Sequence, residues 1–73
     1  MTRQFTAIIE RDGNLYVAHC PDLDIASQGA TVAEARANLT EAIELFFETA
    51  PENEVRERLN SEFYVTKVEV HVG

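Results

Sequence analysis

Thr31 stands three residues before Glu34, the spacing of a capping box in which each side chain satisfies a free backbone donor at a helix start. Downstream, Val32, Ala35, Leu39, Ala42, Ile43 and Phe46 recur at steps of three and four, lining one face of a helix. This helix constrains the fold more than any other feature, because the chain before it reads as short strands and residues 62–72 read as another. The expected order is strand, strand, strand, helix, strand. That is a single α+β domain: a three-stranded antiparallel meander, a right-handed crossover helix packed on one face, and a fourth strand returned parallel to the first.

Turn chemistry sets the strand boundaries. Residues 3–10 alternate loosely, and Asp12-Gly13 suits a type I′ turn because both positions tolerate positive φ. With that loop Ile9 faces Tyr16, Ala7 faces Ala18 and Phe5 faces Cys20 on one side of a hairpin, leaving Ile8, Leu15 and Val17 on the other. Pro21 has no N–H to donate and ends the second strand. Residues 25–29 form a short third strand closing at Gly29. The helix runs from Val32 to about Thr49, because Pro51 disfavours helical geometry at Ala50. Val55 and Leu59, one turn apart behind Glu52 and Glu54, allow a short second helix over 52–59. In the last strand Tyr64, Thr66, Val68, Val70 and Val72 share one face, and Phe63, Val65, Lys67, Glu69 and His71 the other.

A chain of 73 residues holds one domain and buries a small fraction of its surface, so self-association is expected. Thirteen carboxylates against six Lys and Arg leave a net charge of −7. Such a surface repels phosphate backbones, whose affinity comes from protein cations that displace counterions. Direct nucleic-acid binding is therefore not expected, whereas a basic protein partner would be steered toward the chain. The single Cys20 has no internal disulfide partner. No basic segment followed by an apolar stretch opens the sequence, and no apolar run approaches the roughly 20 residues that span a bilayer. A soluble cytoplasmic domain is the expectation.

No catalytic constellation is apparent. His19 and Cys20 are neighbours on a strand, so they point to opposite faces and make no nucleophile–base pair. A metal centre would have to recruit scattered carboxylates beside the two histidines, and none is expected, nor any other cofactor. The glycines at 13, 29 and 73 are too dispersed to cradle a phosphate. Asp22, Leu23 and Asp24 form a loop beside the sheet that serves either as a surface turn or as a contact for a protein partner. Glu34, Glu41, Glu44 and Glu48 lie off the apolar stripe of the helix, either solvated or presented to a basic partner, with Arg36 as the one cation there. Phe47, rotated about 100° from Phe46, either packs on the segment after Pro51 or sits in an oligomer contact. Tyr64, Val68 and Val70 mark the last strand as an exposed sheet edge, guarded by Lys67 alone, through which chains would pair symmetrically.

Together these residues resemble a family. Phe5-Thr6-Ala7-Ile8-Ile9-Glu10 with Tyr16-Val17-Ala18, then Pro21-Asp22-Leu23, then Gly29-Ala30-Thr31 with Glu34-Ala35 and Asn38 to Glu41-Ala42, resembles the HicB-like antitoxin domain over nearly the whole chain. The pattern departs at Asp24-Ile25-Ala26, where that family commonly has a Pro-Gly-Cys-like turn. The resemblance implies a degraded ribonuclease H-like fold without the nuclease carboxylates, and here the first strand offers only Glu10 near its end. It further implies an antitoxin that binds a small basic HicA-like toxin, an mRNA-cleaving enzyme, and neutralises it by occlusion. Full-length members often add a DNA-binding segment after this domain; residues 1–73 match only the N-terminal domain, with no such tail expected. The expectation is thus a non-enzymatic antitoxin. The alternative is a solitary homo-oligomeric scaffold or ligand-binding domain of the same fold with no toxin.

Overall fold

The computed structural model describes residues 2–73. Three antiparallel strands, β1 (Ile8–Asp12), β2 (Leu15–Cys20) and β3 (Ile25–Gly29), form one sheet in sequence order. Two helices follow, α1 (Val32–Thr49) and α2 (Glu52–Leu59). The second and third strands and both helices stand where the sequence pattern puts them, whereas the first strand, expected over residues 3–10, spans Ile8–Asp12 and leaves Phe5 and Ala7 outside the ladder. Residues 62–73 lie outside the sheet, so the expected fourth strand is extended chain without a ladder.

The hairpin register differs from the expected one. Ile9 pairs with Ala18 and Asp12 with Leu15, so the two-residue loop is Gly13-Asn14, one position later than Asp12-Gly13. Gly13 has φ +63 and Asn14 does not share the positive sign, the pattern of a type II′ turn, which wants glycine first. The later loop moves each β1 residue two positions along β2. A slip of two preserves facing, so Ile9, Tyr16, Ala18 and Cys20 still turn toward the core.

Both helices begin and end for local reasons. Thr31 is extended at φ −134, ψ 164, and its Oγ1 accepts a bond from the Glu34 amide at 3.0 Å. Ala50 leaves helical geometry at φ −72, ψ 145 ahead of Pro51, while its amide still bonds Phe46 O at 2.9 Å. Pro51 then caps α2, its carbonyl accepting from the Glu54 and Val55 amides at 3.0 Å each.

The helix α1 lies mainly over β3, less over β2 and least over β1. At Gly29 the approach is so close that a Cβ would meet the Ala35 backbone nitrogen at 2.5 Å, which only glycine accommodates. Asn38 reinforces this side by donating Nδ2 to Gln28 O at 2.8 Å. The fully buried core is small: Ala18, Cys20, Leu23, Ala35 and Leu39, with Phe5, Ile9, Ile43, Phe46 and Leu59 among the half-buried residues around it.

Candidate functional site

The loop after β2 is the first place to look for a site, and two of its three candidate residues serve the fold. Leu23 is fully buried, so its side chain belongs to the core and presents nothing to a partner. Asp22 is half-buried and takes two bonds through Oδ1, from the Thr6 amide at 3.1 Å and from the Cys20 thiol at 3.6 Å. It ties the N-terminal segment to the sheet. Asp24 alone faces solvent, with Oδ1 3.3 Å from Nε2 of His19 and backbone φ at 54, the left-handed region.

Arg58, which the sequence gives no reason to single out, holds this loop from the far side. Its guanidinium donates to Leu23 O, approaches Asp24 O at 3.5 Å, contacts Glu54 at 3.4 Å, and sits 5.3 Å over the Phe46 ring. Ser61 adds a bond from its hydroxyl to Asp22 O at 2.8 Å. The second helix is thereby fastened to a loop far away in sequence, a contact no local pattern announces.

Cys20 and His19 point to opposite faces of β2, as alternation requires. The Cys20 thiol is buried, and its pKa is raised above 9.0 chiefly by that burial, with the Asp22 carboxylate adding to the rise. A thiol kept protonated in this way is a poor nucleophile. Among the described residues no three His, Cys, Asp or Glu side chains come together as metal ligands. No helix among them is long and apolar enough to cross a membrane.

Two surfaces remain. On the outer side of α1, Glu41, Glu44 and Glu48 surround Leu45 within about 100° of arc, given the roughly 100° step per helical residue. All four are exposed, Leu45 at 58%. Adjoining this surface and sharing Glu44 and Glu48, α1 and residues 2–7 enclose an open groove of about 920 Å³. Phe5, Leu39, Ile43 and Phe47 supply its apolar surface, and Arg3, Arg36, Glu44 and Glu48 its charged side chains. The Phe47 ring, part of the groove lining, stacks on Phe5 with centroids 5.7 Å apart and meets Phe46 edge-on at 5.4 Å.

Tyr64, Val68 and Val70 are 80%, 82% and 70% exposed, out on the extended segment beyond α2. The loop residues and these edge residues therefore form no common site. In comparisons with known proteins, no family model, curated protein or solved structure matches the chain. What is established is a small α+β domain whose surface offers an acidic helix face, a partly apolar groove and, over residues 62–72, a segment outside the sheet.

Proposed function

We propose that the chain is a HicB-like antitoxin, a binding module that neutralises a small basic mRNA-cleaving toxin by occluding it. The observation that supports this most is the exposed Leu45 set among Glu41, Glu44 and Glu48 on a chain of net charge −7. An apolar anchor ringed by one sign of charge suits a partner of the opposite sign: the field steers the encounter and the leucine gives desolvated contact. The acids have no cation in the last turn of α1 to neutralise them. Asp24 is a further exposed contact for such a partner, and Asp22 and Leu23 act by holding the loop that carries it.

The test is a pull-down from the native host with the tagged chain, read by mass spectrometry, beside the same experiment with Glu44→Lys/Glu48→Lys. A stoichiometric small basic protein retained by the wild type and lost from the double variant is the expected result. Failure to retain any such protein, including one encoded beside its gene, would remove the antitoxin reading.

The exposed residues 62–72 favour a second reading, a homo-oligomeric scaffold or ligand-binding domain without a toxin. On either reading we take residues 62–72 as the fourth strand of a ribonuclease H-like fold, parallel to β1. Their alternation supports this, with Tyr64, Val68 and Val70 on a single face.

A further inference from the structure

Among the described residues, 62–72 join no sheet, and only Phe63 of the segment is partly covered. Val68, Val70 and Val72 are 82%, 70% and 86% exposed, and the side-chain hydrogen bonds of the segment are local, from Tyr64 to Glu62 and from Thr66 to Lys67 O. The radius of gyration is 14.5 Å, with extents of 50 × 29 × 20 Å. A compact chain of this length would have a radius near 11 Å, so the segment stands off the body. An isolated strand with an apolar face is not stable in water, and it calls for a sheet edge.

The same chain carries such an edge. In the sheet order β1-β2-β3, β1 is an outer strand whose far side has no strand partner among the described residues, while on β3 Gln28 O already accepts a bond from Asn38 of α1. Because α1 lies mostly over β3 and least over β1, an open groove lined by Phe5, Ile43 and Phe47 is left between the helix and residues 2–7, which lead into β1. A strand added beside β1 would lie beside that groove.

We propose that residues 62–72 of one chain add, in parallel, to the β1 edge of a second copy, with Tyr64, Val68 and Val70 on the side that faces α1, and that the exchange is reciprocal. Two features select a second copy as the occupant. The even-numbered face with Tyr64, Val68 and Val70 is turned toward the helix side, where Phe5, Ile43 and Phe47 supply apolar surface. The chain is also held to the body at Ser61, whose hydroxyl bonds Asp22 O, and beyond it makes no ladder with its own β1. A two-fold exchange satisfies both free edges at once.

This deepens the self-association reading by giving its mode and is independent of the toxin reading. The test is light scattering on the wild-type chain, followed by NMR on a sample refolded from an equal mixture of ¹⁵N- and ¹³C-labelled chains. A dimer with intermolecular NOEs in parallel register between residues 62–72 and β1 is the expected result. A monomer would overturn self-association and the exchange together. A dimer whose tail contacts its own β1, or pairs tail to tail, would overturn the exchange alone. Val68→Pro removes a ladder donor from an exposed position and should weaken the dimer at least tenfold; an unchanged dissociation constant would also overturn the exchange. Should that variant fail to fold, the NOEs of the wild type decide.

Discussion

Asp24 holds a left-handed conformation, φ 54, that L-residues adopt at a cost of roughly 1–2 kcal/mol, least for Asp and Asn. Its neighbours impose it: Leu23 is pulled into the core on one side and the Leu23 carbonyl is held by Arg58. Conformation and charge separate by substitution. Asp24→Asn should leave stability within about 0.5 kcal/mol, whereas Asp24→Val, β-branched and intolerant of positive φ, should cost about 1–2 kcal/mol by urea denaturation. Cys20 gives a pH signature. Below its ordinary value of 9.0 the thiol is protonated in both folded and unfolded chains, and stability is full. Above it the unfolded thiol ionises first, because burial holds the folded one protonated, so stability falls as pH rises. Denaturation midpoints should decline more steeply above about pH 9 in the wild type than in Cys20→Ala, where that proton is absent. Equal slopes would mean that the thiol is accessible in the folded chain.

At the scale of elements, α1 was legible because its signals are local: a capping threonine, a stripe at steps of three and four, and a proline that closes it. The third strand and the short α2 were legible for the same reason. The hairpin register was not, since Asp12-Gly13 and Gly13-Asn14 both offer turn chemistry and only the finished ladder decides between II′ and I′. The closeness of Gly29 to Ala35 and the reach of Arg58 to Leu23 across 35 positions lie beyond any local pattern. Of the proposed loop site, the sequence indicated the position but not that Leu23 turns inward. Gly29→Ala should destabilise the domain by about 1–3 kcal/mol, because the new methyl group meets helix backbone that cannot move aside cheaply. By contrast α1 can be improved. It carries Glu48 near its C-terminus, no basic residue in the last turn, and Glu44 one turn before. Glu48→Lys should raise stability by about 0.5–1 kcal/mol by relieving that repulsion and complementing the helix dipole, seen as a higher thermal midpoint.

Taken as a whole molecule, the chain has a core of five buried side chains among the described residues, a strong excess of negative charge and an exposed valine-rich segment outside its sheet. Each weakens a lone monomer: little apolar area is removed from water, like charges repel, and exposed valines keep their hydration cost. Reciprocal strand exchange addresses the first and third of these, and it makes folding and association one equilibrium. Stability then depends on concentration, because unfolding a dimer releases two chains. A hundredfold rise in protein concentration is worth about 2.7 kcal/mol per dimer, or roughly 1.4 kcal/mol per chain. For a domain of this size each kcal/mol moves the thermal midpoint by about 4–8 °C, so the expected rise is roughly 5–10 °C. Calorimetry across that concentration range reads it directly. A folded Val68→Pro monomer should show no such dependence, and a wild type whose midpoint is equally indifferent to concentration would place the whole of its stability within one chain. Salt acts on the remaining weakness: screening the net charge should raise the midpoint of both proteins alike, which separates electrostatic relief from association.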